Sequence, residues 1–292
     1  MNRIQGILYA AVSSTTFGLA PFFSITLLLA GFSAFEVLSY RWGVASIVLI
    51  VFGWLSGCNF RLAGKDWGVV FLLSLLRAVT SFSLIIAYQN IASGVASTIH
   101  FMYPLAVALA MMFFFREKKS LLVILAVLMS LLGAALLSLG ELEAKSGNTM
   151  VGLVAACVSV FSYAGYIVGV RTTRAVQINS TALTCYVMGL GTIFYLIGAY
   201  CTSGLQLVSD GYTWLIILGL ALPATAISNI TLVQAIKYAG PTLTSILGAM
   251  EPLTAVVIGV FVFKELFTVN SAVGIILILL AVSIVVFRRQ KS

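Results

Sequence analysis

Three ionisable residues stand far from the ends of the apolar runs that carry them. Arg41 lies about eight residues into its run and Arg77 and Glu251 about ten into theirs, which at about 1.5 Å of helical rise per residue is on the order of 12–15 Å of depth. A charged side chain at that depth costs at least about 2.5–3.5 kcal/mol in hydrocarbon, so each must face a partner or water. The chemistry this permits is ion binding and proton carriage. Arg77 can attract an anionic group such as a carboxylate. Glu251 can balance charge, bind a substrate ammonium or carry a coupling proton. His100, the only histidine, ordinarily titrates near neutrality and is a second candidate proton carrier. Arg41 is a candidate for charge balance. The bland alternatives are a structural ion pair between Glu251 and either arginine, touching no solute, and a histidine satisfied within the core.

Helical spacing gathers further polar groups beside these. Ser74, Arg77 and Ser81 share one helix face, as do Thr244, Gly248 and Glu251. Ser93, Ser97, His100 and Pro104 share another, and Ser159, Ser162, Tyr163 and Tyr166 cluster on a fourth. The candidate solute-binding set is Phe17, Arg77, Ser81, His100, Tyr163, Tyr166, Asn229 and Glu251, with Phe17, Tyr163 and Tyr166 as the apolar wall. The glycine pairs Gly53-x-x-x-Gly57 and Gly165-x-x-x-Gly169 read as close-packing faces. Glu117 and Glu265, beside basic residues at run ends, read as caps or surface pairs.

Catalysis is not indicated. One histidine, without HExxH or GxSxG, supplies neither a metal set nor a nucleophile and base. The four cysteines have no CxxC spacing and read as small core residues. No phosphate-binding Walker loop appears. Neither cofactor nor metal is expected.

The elements that must position these residues are membrane helices. Of 292 residues 61% are hydrophobic and 8% charged, and mean hydropathy is +1.14; a soluble domain carries about 25% charged residues. Apolar runs of about 20 residues match a hydrocarbon core about 30 Å thick. Breakers place ten spans, at about 4–29, 33–57, 67–90, 94–115, 119–140, 150–170, 180–202, 212–236, 241–263 and 268–287. The first is too long for a signal h-region. The net charge of +8 comes from short loops and carries no aromatic–basic interleaving, so it reads as orientation, not nucleic-acid binding. Arg3, Arg61, Lys65, Arg116, Lys118, Lys119, Arg171, Arg174, Lys237, Arg288, Arg289 and Lys291 lie on one side, against Lys145 and Lys264 on the other. The positive-inside rule then puts both termini in the cytoplasm, as an even span count requires. Asn-x-Thr sequons at Asn179 and Asn229 read as chance matches.

The second half repeats the first. Ala87–Glu117 aligns without gaps on Ala235–Glu265, setting Tyr103-Pro104-Leu105 on Glu251-Pro252-Leu253 and Ser81 on Asn229. At a slightly different offset Ser13 meets Ser159, Phe17 meets Tyr163 and Tyr40 meets Tyr186. Five spans per half is an odd number, so the second half enters the membrane upside down. The expected fold is an all-α integral membrane protein of ten transmembrane helices in two inverted five-helix repeats, residues 1–146 and 147–292.

The Glu251-Pro252-Leu253 stretch, followed by Lys264-Glu265-Leu266 and a last span with Gly274, resembles the EamA-type ten-span members of the drug/metabolite transporter superfamily. Pro104 and Arg116-Glu117 match it in the first half, and Arg41, Gly18 and Pro21 match earlier positions. A departure is Tyr103 where the second half has Glu251. The resemblance implies export of amino acids or other small metabolites. The residues leave open an importer or exchanger of organic anions, since two membrane arginines face one glutamate. The expected partners are a small-molecule solute, a coupling proton and the lipid bilayer of a cell (inner) membrane; the two-repeat chain could act as a monomer. An intramembrane enzyme lacks the residues it needs, and an assembly protein would need neither repeat nor buried charges.

Overall fold

The computed structural model describes residues 3–91, 93–117, 120–138, 147–202, 204–261 and 268–288. The first apolar run is two helices, α1 (Arg3–Phe17) and α2 (Ala20–Leu29). Then come α3 (Ala34–Leu55) and α4 (Trp67–Asn90). The fourth run divides into α5 (Ser93–His100) and α6 (Tyr103–Phe113), and α7 (Leu121–Ser138) follows. In the second half α8 (Thr149–Thr172) and α9 (Ser180–Cys201) are continuous. The eighth run is α10 (Gly211–Ala221), a π-helical segment Leu222–Ile227, and α11 (Ser228–Ala239). The ninth is α12 (Pro241–Leu247) and α13 (Met250–Phe261), and α14 (Val269–Arg288) is last. Among the described residues there is no strand. Seven stretches are long and apolar enough to cross a membrane, and Leu121–Leu136 and Ala272–Ile284 are shorter apolar helices.

Local chemistry sets the helix starts. Ser33 and Glu36 form a reciprocal capping box at α3. Asn148 caps α8, and Asn179 caps α9 by accepting from the Thr181 and Ala182 amides, so that sequon position is a helix cap. Asp210 caps α10, and the Thr213 amide it accepts holds its carboxyl below the usual carboxylate range.

Four runs that read as continuous spans are broken, at Gly18–Leu19, at Phe101–Met102, through the π segment and at Gly248–Ala249. Proline explains the positions. Pro21, Pro104 and Pro252 each lie just inside the helix that follows a break, and Pro223 lies at the start of the π segment, where a missing N–H is tolerated but the previous helix cannot continue undisturbed.

The halves interleave. α4 packs on α8, α1 on α11, α3 on α9 and α7 on α14. The first three pairs run antiparallel. Thr80 Oγ1 meets Ser162 Oγ at 2.9 Å, while Leu73, two turns earlier in α4, packs on Gly169. Ser13 Oγ donates to the Ser228 carbonyl at 2.8 Å, and Gly6 lies on Ala239. Phe35, Trp42 and Gly53 of α3 face Gly198, Gly191 and Thr181 of α9 in descending order. Glycine allows these close approaches. Gly165 and Gly169 pack on Leu76 and Leu73, a packing face as their spacing predicts. Of the other pair Gly53 packs on Phe60, whereas Gly57 lies past the end of α3 at φ +64 with nothing within 4 Å of its Cβ position, so it is a turn glycine and not part of a packing face.

Candidate functional site

The four breaks converge on one buried cluster. Phe17 ends α1, and the π segment and first turn of α11 supply Thr225 and Asn229. His100 ends α5 and Tyr103 begins α6. Glu251 lies in the first turn of α13, whose backbone carbonyl faces Gly18; a Cβ there would stand 2.6 Å from that oxygen. Interrupted membrane helices leave backbone polar groups free and are tolerated where they are buried in protein or line a cavity.

Arg77 is 1% exposed and occupies the centre. Its Nε donates to Asn229 Oδ1 at 3.1 Å and its Nη1 to Ser81 Oγ at 3.4 Å. Its guanidinium carbon lies 4.9 Å from the Tyr163 ring centroid, 5.1 Å from Phe17 and 5.9 Å from Tyr166. Aromatic faces attract a guanidinium most where water is excluded. Arg41 lies 5.5 Å from the Phe17 centroid; its Nε donates to Thr225 Oγ1 at 2.7 Å and its Nη2 to the Ala224 carbonyl at 3.4 Å. Thr225 lies in the π segment, and its hydroxyl donates its own proton to the Leu220 carbonyl at 2.7 Å, which leaves the oxygen free to accept from Arg41.

His100 stacks on Tyr163 with ring centroids 5.4 Å apart and planes 20° from parallel. Its Nδ1 is 2.9 Å from Ser159 Oγ, and that hydroxyl gives its proton to the Ala156 carbonyl at 2.6 Å. With the Ser159 proton on the Ala156 carbonyl, Ser159 accepts from His100 Nδ1, and in that tautomer Nε2 is the ring's acceptor. Tyr103 packs edge-on against Tyr163 at 4.6 Å, and its hydroxyl donates to the Glu251 carboxyl. Among the described residues neither arginine has a carboxylate within 4.0 Å; the ion pair present joins Arg174 to Asp66 at 3.9 Å, at a run end. The structural pairing of Glu251 with Arg41 or Arg77 is thus not made.

All nine residues singled out by sequence are buried, and they form one connected cluster. Sequence reasoning missed Tyr103 and Thr225 as members. The repeat register carries the signal for both, since it sets Tyr103 opposite Glu251 and Thr225 opposite Arg77. Among the described residues, His100 Nε2 and Tyr166 Oη in this cluster, and Thr244 Oγ1 in α12, are buried without a hydrogen-bond partner. The described residues hold no group of three or more His, Cys, Asp or Glu that could bind a metal ion. Glu117 accepts from Thr242 Oγ1 at 2.5 Å, a bond between run ends, as its position implies. The Ser93 side chain and Lys118, Lys119, Lys145, Lys264, Glu265, Leu266, Arg289 and Lys291 lie outside the described residues.

The sequence profile of the EamA-like transporter family matches this chain twice, over residues 4–139 and 150–287. The chain belongs to the EamA-like transporter family. This EamA protein is a multi-pass membrane transporter rather than an enzyme. It is 28% identical over 238 residues to an uncharacterised transporter of Archaeoglobus fulgidus, covering 80% of this chain and 83% of that protein. Its fold is similar to that of a solved crystal structure with a TM-score of 0.79 at 17% identity, covering 96% of this chain and 95% of the other.

Proposed function

We propose that this EamA protein is a secondary active transporter that exports amino acids or related small metabolites by alternating access through the central cluster. The observation that carries this is the convergence of four interrupted helices on Arg77, Glu251 and the unpartnered His100 Nε2 and Tyr166 Oη, with the aromatic rings of Phe17, Tyr163 and Tyr166 as its wall. The proposed architecture is ten spans in two inverted five-helix repeats, residues 1–146 and 147–292, with α12 and α13 together as the ninth. Helix pairing supports it. α1 on α11 and α4 on α8 exchange when the halves are swapped, while α3 on α9 maps onto itself. A self-mapped antiparallel pair calls for a two-fold axis across the helices, which is the inverted arrangement. Both termini would be cytoplasmic, in a cell (inner) membrane, and the chain could work as a monomer.

One observation favours a second reading, an organic-anion importer or exchanger: among the described residues neither buried arginine has a carboxylate within 4.0 Å. Flux in proteoliposomes with an imposed pH gradient separates proton-coupled export from exchange, and Glu251 and His100 are the proton-carrier candidates. Arg77→Ala and Glu251→Gln should each cut flux at least roughly tenfold while the protein still elutes as a folded species, a loss worth about 1.4 kcal/mol or more of binding. Undiminished flux in both variants would remove them from the solute path.

A further inference from the structure

We infer that the solute carries two acidic groups and one amine, the chemistry of an acidic amino acid. This rests on the central cluster being the transport site.

The first ground is charge. Two guanidinium groups and one carboxyl are buried together, and burial of an unbalanced charge costs several kcal/mol. Arg41 and Arg77 both lie on the Phe17 ring, at 5.5 and 5.1 Å, so they face one shared region from α3 and α4. Their bonds to protein use Nε and one Nη each: Arg41 through Thr225 and Ala224, Arg77 through Asn229 and Ser81. These bonds fix the planes of both forks. They leave Nη1 of Arg41 and Nη2 of Arg77 without a protein acceptor among the described residues. A guanidinium so held is preorganised for a carboxylate.

The second ground is the pattern of unpartnered atoms. His100 Nε2 is an acceptor in the tautomer in which Nδ1 donates to Ser159, and nothing among the described residues donates to it. The Glu251 carboxyl, tied through Tyr103 to the same aromatic group, is a second acceptor. An ammonium satisfies acceptors, and it does so away from the guanidinium groups. Two carboxylates and one ammonium carry a net charge of −1, which brings the two arginines and Glu251 to neutrality. A neutral amino acid leaves one arginine unmatched. A dicarboxylate without the amine leaves His100 Nε2 with no donor and Glu251 with Tyr103 alone, and it leaves the cluster one negative charge in excess.

The test uses purified protein in proteoliposomes preloaded with glutamate, with exchange of labelled glutamate, glutamine and succinate compared. Wild type should exchange glutamate at least roughly tenfold faster than either analogue, because a site built for a polar group strongly rejects the analogue lacking it. Arg41→Gln should bring the ratio of glutamate to glutamine close to one. Should Arg41→Gln not fold, thermal unfolding of wild type decides instead: glutamate should raise its melting temperature and glutamine should not. Glutamine exchanged or stabilising as well as glutamate overturns the acidic-solute inference and leaves the transport site standing. No exchange and no stabilisation by any amino acid overturns both.

Discussion

Tyr40 and Tyr186 make the same bond from opposite halves of the chain. The Tyr40 hydroxyl donates to the Gln206 carbonyl at 2.5 Å, and the Tyr186 hydroxyl to the Phe60 carbonyl at 2.6 Å. The interval from Tyr40 to Tyr186 equals that from Phe60 to Gln206. Each ring also meets a tryptophan near edge-on, Tyr40 with Trp214 at 6.1 Å and Tyr186 with Trp67 at 5.3 Å. Each tyrosine therefore ties the segment that follows α3 or α9 to the partner helix from the other half. The tie at Gln206 has one addition, the Glu36 carboxylate accepting the Gln206 amide at 2.7 Å.

That addition predicts unequal costs. Tyr186→Phe removes the sole hydroxyl bond to the Phe60 carbonyl and should destabilise by about 1 kcal/mol. Tyr40→Phe should cost less, because the Gln206 amide remains held by Glu36 and the lost bond is exposed to water. Melting temperatures of the two variants in one detergent order them; a larger fall for Tyr40→Phe would contradict the assignment.

The same two segments test inversion with native cysteines. Cys58 lies just before Phe60 and Cys201 shortly before Gln206, and neither is in a disulfide. In two variants that each keep one of these thiols, a membrane-impermeant maleimide should label Cys58 from the cytoplasmic side and Cys201 from the opposite side. Labelling of both from one side would mean that the halves are not inverted.

Most of this was legible in the sequence, and the losses have physical causes. Length and hydropathy give the helices because lipid leaves the backbone few alternatives. Burial of Arg77, Arg41 and Glu251 follows from the cost of charge in hydrocarbon, and the repeat register sets Tyr40 on Tyr186 before any coordinates. Hydropathy does not register the breaks in four runs, since a proline inside an apolar run hardly changes its mean. Bonding partners such as Thr225 for Arg41 lie in the π segment, a backbone geometry that no residue spacing announces. The choice between a Glu251 ion pair and a Glu251–Tyr103 bond is set by distances of a few ångströms.

The α3–α9 contact makes a controlled comparison available. A Cβ added at Gly191 would fall on the Trp42 ring, whereas one at Gly189 would meet nothing within 4 Å. Both glycines lie inside α9. Gly191→Ala should destabilise by about 1–3 kcal/mol through overpacking. Gly189→Ala should stabilise, by up to about 1 kcal/mol, through helix propensity. Opposite shifts in melting temperature support the register of the two helices; equal shifts would place the contact elsewhere.

Gly248 links the fold to the proposed site. A Cβ at this position would land on the Tyr103 hydroxyl, the group that donates to Glu251. Gly248→Ala should therefore push Tyr103 aside, lower stability by about 1–3 kcal/mol and cut transport at least roughly tenfold, about 1.4 kcal/mol in binding terms. Adding Tyr103→Phe removes the oxygen that the new methyl strikes, so the double variant should regain part of the lost stability. It should not regain transport, because Glu251 still lacks its donor. This separation is what distinguishes a positioning role for Tyr103 from plain packing: non-additivity in stability reports the collision, and the unrescued flux reports the missing bond. If the double variant transported as wild type does, Glu251 would not need Tyr103, and the carboxyl would have to be held by some other group.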